Sequence, residues 1–303
     1  CHRLTNSATL AGAVMGAGDA SRFTRKSAKV GSLAIPYLLG GRGKPLVYLH
    51  GLSGWGRWES HHLALAVANT VYAPALPGWP DGRVPAEIAS VSDCAEVISA
   101  WLEAIGLRQF DLVAHSFGGW IALYLAMRSP ERVSRLILVD TLGVESPDAP
   151  ATDLGALDEQ AFLQAAFAHP ETRLLPSDFG AVVESVRDSQ EFKRQWRGCA
   201  IVAAMVGRRY SDPELLKRLA EIKAETLVVW GREDKLASWR HGALIANVVP
   251  GAKLALIADA GHGPMREKRE TFNRLVHEFM IGQLSRIDDD SSVSIQNSAG
   301  GAR

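Results

Sequence analysis

The chain alternates between short apolar runs and longer amphipathic segments. The short runs have the length and hydrophobicity of strands buried on both faces, and they lie at 33–39, 45–49, 70–76, 110–114, 135–139, 226–230 and 254–258. The longer segments repeat apolar residues at helical spacing, over 91–105, 117–128, 238–247 and 266–282. This alternation predicts an α/β fold, with a mostly parallel sheet flanked by helices. The first run contains Pro36 and is therefore predicted to be an edge strand.

The alternation stops between residues 143 and 212, where the pattern is mostly helical and is interrupted by prolines. It then resumes with strands and helices of the earlier kind. We therefore expect a core formed by residues 28–142 and 213–284, with a helical segment, 143–212, inserted between two of its strands.

Both ends of the chain fall outside this pattern. Residues 1–27 include small apolar residues and begin with Cys1 rather than methionine, so we expect a disordered or processed segment, with Met15 as an alternative start. Residues 285–303 are rich in Ser, Asp and Gly and are expected to form a disordered tail.

Composition argues against several classes of function. The formal net charge is zero, which gives no reason to expect nucleic acid or an anionic membrane as partner, and no apolar run is long enough to span a bilayer. The three cysteines form neither a disulfide framework nor a metal site, which favours a cytoplasmic location. His61 and His62 have no carboxylate at ligand spacing, so no metal and no cofactor are expected.

Ser116 carries the strongest chemical signal. It lies between a predicted strand and a predicted helix, with Ala114 two residues before it and Gly118 two residues after it. This is the layout of a nucleophile elbow, a turn so sharp that its small flanking residues nearly touch. The usual pattern has glycine where this chain has Ala114, and the alternative is a serine that only caps the helix.

A serine nucleophile needs a base, and an acid that orients the base. Parallel sheets place such groups just after the carboxyl ends of strands. His262 follows the run at 254–258 and lies between glycines, so it is the predicted base. Asp234 follows the run at 226–230 and is the predicted acid.

Three other carboxylates are rivals for the role of the acid. Asp140 also follows a strand, although it can equally cap the next turn. Glu233 has a longer side chain, and Asp259 lies too close in sequence to His262 for an easy approach. We therefore rank Asp234 first and Asp140 second.

Two backbone N–H groups are predicted to stabilise an oxyanion. One belongs to Phe117, the residue after the nucleophile. The other belongs to Leu52, in the glycine-rich loop after the run at 45–49.

Together these segments resemble the α/β-hydrolase fold superfamily over residues 30–282. The resemblance is carried by His50-Gly51-Leu52, Leu76-Pro77-Gly78, Ala114-His115-Ser116-Phe117-Gly118-Gly119, Gly231-Arg232-Glu233-Asp234 and Gly261-His262-Gly263-Pro264. It implies an eight-stranded, mostly parallel sheet with a helical cap, residues 143–212, over the active site. The chain looks most like the esterases, C–C bond hydrolases and cofactor-free perhydrolases. The dehalogenases and epoxide hydrolases of the superfamily use aspartate as nucleophile, so Ser116 argues against them.

The predicted function is hydrolysis of an ester, thioester or lactone of a small, largely apolar compound through an acyl-enzyme. The predicted pocket residues are Trp55, Trp58, Trp196 and Trp239, with further aromatic residues of the cap, Phe162, Phe167 and Phe179. The alternatives are cleavage of a C–C bond beside a ketone, peroxide-dependent oxidation through a peracid, and a non-catalytic ligand receptor on the same scaffold.

Overall fold

The computed structural model describes residues 23–297 apart from 53, 57, 80, 81, 149, 171–189, 208, 209 and 285–291, and it describes only the backbone of 159 and 190–196. The described residues form one nine-stranded sheet with helices on both faces. Its strands are β1 (Phe23–Val30), β2 (Leu33–Gly41), β3 (Lys44–Leu49), β4 (Asn69–Pro74), β5 (Phe110–His115), β6 (Val133–Val139), β7 (Glu225–Gly231), β8 (Lys253–Ile257) and β9 (Val293–Asn297). The α/β prediction is confirmed.

The strands lie in the order β1-β2-β4-β3-β5-β6-β7-β8-β9. The pairs β1–β2, β2–β4 and β8–β9 are antiparallel, and every other neighbouring pair is parallel. The carboxyl ends of β5, β7 and β8 therefore reach the same edge of the sheet, where an α/β protein places its site.

The helices are α1 (Ser60–Ala66), α2 (Val91–Ala104), α3 (Phe117–Arg128), α4 (Glu159–Ala166), α5 (Gln190–Val206), α6 (Leu215–Arg218), α7 (Trp239–Val248), α8 (Pro264–Glu267) and α9 (Arg269–Met280). Short 3₁₀ turns occupy Leu154–Ala156 and Leu219–Glu221. The helix predicted over 266–282 is thus two helices divided at Lys268, and α1 was not predicted.

Strand residues alternate between two cores, one on each face of the sheet. Leu112 and Ala114 of β5 face the core beneath α2, α3 and α7, whereas Val113 between them faces the core beneath α1 and α9. Because both faces are covered, the central strands are apolar at most positions, which is the pattern that made them visible in the sequence.

Several predictions about the edges of the sheet are wrong. The strand predicted at an edge, β2, is covered by β1, where Pro36 lies opposite Ser27. Residues 23–27, predicted to be disordered or processed, are part of β1, and residues 293–297 of the predicted tail form β9. The sheet therefore has nine strands instead of eight. Residues 1–22 and 298–303 lie outside the described residues.

Strand β1 escaped prediction because its side chains are largely exposed. Four consecutive residues of β1, from Thr24 to Ser27, face solvent, so no apolar run marks the strand. Backbone pairing with β2 and the stacking of Phe23 on Trp58, with ring centroids 3.8 Å apart, hold it instead.

The segment predicted as the cap leaves and rejoins the core at one place. Gly143 and Ser211 form a parallel bridge, and the Asp212 N–H donates to the Gly143 carbonyl at 2.9 Å. The two ends of the segment 143–212 therefore lie side by side. Within the described residues, no helix combines the length and the hydrophobicity needed to cross a membrane.

Ending the chain at residue 291 is expected to destabilise the fold. The variant loses β9, exposes the edge of β8 and uncovers the apolar core against which the half-buried Val293 and Ile295 pack. We expect the free energy of unfolding to fall by about 1 to 3 kcal/mol, measured by urea denaturation. A chain ending at residue 297 is the control, and equal stability of the two chains would show that β9 contributes nothing.

Candidate active site

Ser116 lies on a strained turn between β5 and α3. Its φ of 55° and ψ of −117° fall outside the helical and extended regions, and its N–H donates to the Val139 carbonyl at 2.8 Å. A Cβ added to Gly118 would lie 2.5 Å from the carbonyl oxygens of Leu49 and His50. The small residue at 118 is thus required by the backbone at the end of β3.

Three predicted residues meet at the carboxyl ends of the strands. The Nε2 of His262 lies 2.8 Å from the Ser116 Oγ, and its Nδ1 lies 2.7 Å from the Asp234 Oδ2. A carboxylate accepts only, so Nδ1 carries the proton and Nε2 accepts from the serine hydroxyl. The other oxygen of Asp234 accepts N–H groups of Leu236 and Ala237 at 2.8 and 3.0 Å, which fixes the carboxylate.

The rival acids have other partners. Asp140 accepts the Gly231 N–H at 2.9 Å, and Glu233 accepts the Ala260 N–H at 3.0 Å. Asp259 is half exposed and is bound by His169 and Lys268. Asp234 is therefore the carboxylate that contacts the imidazole of His262.

The two predicted oxyanion donors border Ser116. Phe117 is the first residue of α3, and Leu52 follows Gly51, at which an added Cβ would come within 2.9 Å of the Ser116 Cβ. Neither amide donates to an acceptor among the described residues. The geometry fits a pair of donors that face a ligand on Ser116.

Comparison with known sequences then decides the family. The family model described as the alpha/beta hydrolase family matches residues 46–275. The chain belongs to this family. It is a hydrolase, and the resemblance seen in the sequence is confirmed.

Named relatives of this alpha/beta hydrolase cover most of its length. A 2-hydroxymuconate semialdehyde hydrolase from Pseudomonas putida is 30% identical over 254 residues, which are 79% of this chain and 88% of the relative. A 2-hydroxy-6-oxononadienedioate/2-hydroxy-6-oxononatrienedioate hydrolase from Burkholderia vietnamiensis is 31% identical over 258 residues, 78% of this chain and 86% of the relative. The solved structure of the 2-hydroxy-6-oxo-6-phenylhexa-2,4-dienoate hydrolase from Rhodococcus sp. strain RHA1 shares the fold, with a TM-score of 0.67 at 21% identity over 86% of this chain and 99% of that chain.

The cavity of this hydrolase beside His262 has mainly apolar walls. It is lined by Leu52, His115, Phe162, Ala166, Phe167, Leu236, His262, Gly263 and Arg266. Of the predicted pocket residues, Phe162 and Phe167 lie here, whereas Phe179 and the side chain of Trp196 lie outside the described residues. Leu236 was missed, although it follows the predicted acid by two positions.

Three of the predicted tryptophans do not line this cavity, so their assignment to the pocket is wrong for this structure. Trp55 donates its Nε1–H to the Ala73 carbonyl at 2.7 Å, and Trp58 stacks on Phe23. Both pack against the core beneath α1 and α9, on the far face of the sheet from α2 and α3. Trp239 begins α7 and packs against the other core.

His50 and Trp79 support the oxyanion loop. His50 accepts the Leu76 N–H at 3.1 Å through Nε2 and donates from Nδ1 to the Gly51 carbonyl at 2.9 Å. Burial lowers the pKa of His50 to about 4, so the ring is neutral. The ring of Trp79 lies 5.0 Å from that of His50 and 6.0 Å from that of Phe117. His50 thus joins two of the sequence motifs, His50-Gly51-Leu52 and Leu76-Pro77-Gly78.

The loop that carries His262 is held by β5 and by residues of the segment 143–212. The His262 N–H donates to the Ala166 carbonyl at 2.7 Å, at the end of α4, and its carbonyl accepts the His115 Nε2–H at 2.9 Å. Glu267 accepts the N–H groups of Gly261 and Ala168, each at 2.9 Å. Sequence reasoning missed the contacts with Ala166, His115 and Ala168 because their partners are about 100 or more positions away along the chain.

A buried ion pair anchors the helix that follows His262. Arg266 of α8 donates from Nε and Nη2 to the two carboxylate oxygens of Glu59, both at 2.8 Å. Burial alone raises the pKa of Glu59, but the charge and hydrogen bonds of Arg266 outweigh it and hold the pKa well below its usual range. Glu59 also lies 3.6 Å from His61, so a carboxylate does approach this histidine, contrary to the sequence interpretation, but it is bound to Arg266.

Glu267→Gln is expected to gain stability relative to the wild type as the pH rises. Burial raises the pKa of Glu267 from 4.5 to about 7, against the hydrogen bonds from Ala168 and Gly261. The folded protein therefore holds this proton more tightly than the unfolded chain, so the wild type loses stability between pH 4.5 and pH 7, whereas the uncharged glutamine does not.

We expect the free energy of unfolding of the variant, relative to that of the wild type, to increase by about 1 to 2 kcal/mol between pH 5 and pH 8. Urea denaturation measures both free energies. Glu270→Gln, at an exposed position of α9, is the matched control. A difference that stays constant with pH would contradict the assignment.

Proposed function

We propose that this protein is a serine hydrolase that cleaves the C–C bond beside a carbonyl in a small conjugated compound, with Ser116 as nucleophile, His262 as base and Asp234 as orienting acid. The observation that carries the proposal is the unbroken line from the Ser116 Oγ through both nitrogens of His262 to Asp234, with contacts of 2.8 and 2.7 Å. This arrangement makes a serine hydroxyl nucleophilic.

In this mechanism the Ser116 oxygen bonds to the carbonyl carbon as its proton passes to Nε2 of His262. The N–H groups of Leu52 and Phe117 stabilise the oxyanion. The C–C bond then breaks, its electron pair is delocalised into the conjugated fragment, and the imidazolium returns its proton to the leaving carbon. Water, activated by His262, releases the acid from the acyl-enzyme, so the net change is addition of one water across the bond.

The relatives support this choice of bond. The two relatives described above, at 30% and 31% identity, are named as a 2-hydroxymuconate semialdehyde hydrolase and a 2-hydroxy-6-oxononadienedioate/2-hydroxy-6-oxononatrienedioate hydrolase. Their named substrates share a carbonyl conjugated with a hydroxy-dienoate chain, which accepts the electron pair of the broken bond. Because the chain is a hydrolase, the receptor alternative is no longer needed.

Ester or lactone hydrolysis is the second candidate, and the walls of the cavity favour it. Leu52, Phe162, Phe167 and Leu236 surround the site, and the cation on the wall, Arg266, is bound by Glu59. These walls suit an uncharged acyl compound better than a substrate with carboxylates.

Ser116→Ala is expected to abolish turnover and labelling by a fluorophosphonate. Without the hydroxyl no acyl-enzyme forms, so kcat should fall by about 10⁴-fold or more. Intact-protein mass spectrometry should find one phosphonate on the wild type and none on the variant. Ser134→Ala, exposed on β6, is the matched control. A variant that keeps its activity would overturn the role of Ser116.

The two candidate reactions are separated by kcat/KM on two substrates. We expect kcat/KM for 2-hydroxymuconate semialdehyde to exceed that for p-nitrophenyl acetate by at least about 100-fold, because a conjugated carbanion can leave only from a site that stabilises it. The reaction of the semialdehyde is followed by the loss of its visible absorbance. Faster cleavage of the ester with no reaction of the dienone would instead establish the second candidate.

A further inference from the structure

A second buried carboxyl group lies behind the acid of the triad. Asp140 directly follows β6, is 0% exposed and has a φ of 43°, a left-handed conformation that aspartate tolerates better than most residues. Its Oδ1 accepts the Gly231 N–H at 2.9 Å, at the start of the loop that carries Asp234. Its Oδ2 is buried and has no hydrogen-bond partner among the described residues.

Asp140, Asp234 and His262 form one cluster. One ligand atom of each lies within 4.8 Å of the others. Asp234 is fully engaged, by His262 on one oxygen and by Leu236 and Ala237 on the other. Two ionised carboxylates this close together in a buried site would repel each other, and they would share a single imidazole as partner. The arrangement is therefore more stable when one of the two carboxyl groups is neutral.

The surroundings identify Asp140 as the neutral member. Burial raises its pKa well above the ordinary value, and the negative charge of Asp234 raises it further. The Gly231 N–H opposes this shift, whereas Glu267, after β8, adds to it. The charged or titratable groups that face Asp140 are therefore Asp234, Glu267 and His262.

We infer that Asp140 is a positioning residue of the triad, a buried carboxyl that steadies the Asp234 loop through Gly231 and becomes the partner of His262 when the Asp234 carboxylate is removed. This inference rests on the proposed role of Ser116, Asp234 and His262. In the native enzyme Asp140 does not touch the substrate. Once the neighbouring charge is gone, it can ionise and attract the imidazolium from the same side.

Alanine is the informative substitution at position 234. An asparagine would keep its oxygen on the Leu236 and Ala237 N–H groups and turn its NH₂ towards His262, which would force the wrong tautomer. Alanine leaves the space open to Asp140.

The test compares fluorophosphonate labelling rates of Asp234→Ala, the double variant Asp234→Ala/Asp140→Asn, and Asp234→Ala/Asp111→Asn. Asp111 of β5 is the matched control. Like Asp140 it is a buried aspartate whose pKa is raised chiefly by burial, and one of its oxygens has no hydrogen-bond partner among the described residues. Its neighbour, however, is Arg135 and not His262. We expect D234A/D140N to react at least about tenfold more slowly than D234A, and D234A/D111N to match D234A. The acid limb of the rate should also move to lower pH in D234A/D140N, because no carboxylate then stabilises the imidazolium.

A second readout does not depend on catalysis. The infrared difference spectrum between wild type and Asp140→Asn at pH 7 should contain the C=O stretch of a protonated carboxyl. Asparagine can still accept from Gly231, so the fold should be kept, as checked by circular dichroism and Tm. Equal labelling rates and acid limbs in D234A and D234A/D140N, or a difference spectrum without this band, would overturn the inference. A wild type that the probe does not label would instead refute the proposed function, while the infrared result would still decide the state of Asp140.

Discussion

The site depends on the imidazole of His262, whose side chain and backbone are both fixed by hydrogen bonds. The ring of His262 spans Ser116 and Asp234, while its backbone N–H and C=O are bound by Ala166 and His115. A rotation of the ring would break both side-chain contacts at once, so its orientation must be fixed before any substrate arrives. The fold achieves this with two hydrogen bonds to the His262 backbone, one with the Ala166 carbonyl of α4 and one with the His115 side chain of β5, so α4 is part of what supports this imidazole.

The sequence was sufficient for the residues whose signal is local. Ser116, Asp234 and His262 each follow a short, mostly apolar run, and the geometry of parallel strands brings such ends to one edge of the sheet. The partners that hold these groups carry no comparable signal. Glu59 and Arg266 are 207 positions apart, and nothing in either neighbourhood indicates the other.

The wrong predictions have a common physical cause. Trp55 and Trp58 were assigned to the pocket because they follow the oxyanion loop, yet that loop turns towards α1 and places both rings against the far core. Proximity along the chain does not tell which face of the sheet a side chain reaches. β1 was missed because an edge strand with exposed side chains is held by backbone pairing, which leaves no apolar pattern to read.

The charge around His262 bears on which bond the enzyme can break. An alkoxide leaving from an ester takes the proton of the imidazolium readily, whereas a carbanion is protonated only if the imidazolium persists until the C–C bond breaks and then gives up its proton. Each ionised carboxylate nearby stabilises the imidazolium and so makes it a weaker acid. Burial holds Glu267 near the midpoint of its titration at neutral pH and favours the neutral form of Asp140, which leaves Asp234 as the fixed negative charge in contact with the ring. The proposed C–C cleavage depends on this distribution of charge more than ester hydrolysis would, because the leaving carbanion must take its proton from the imidazolium.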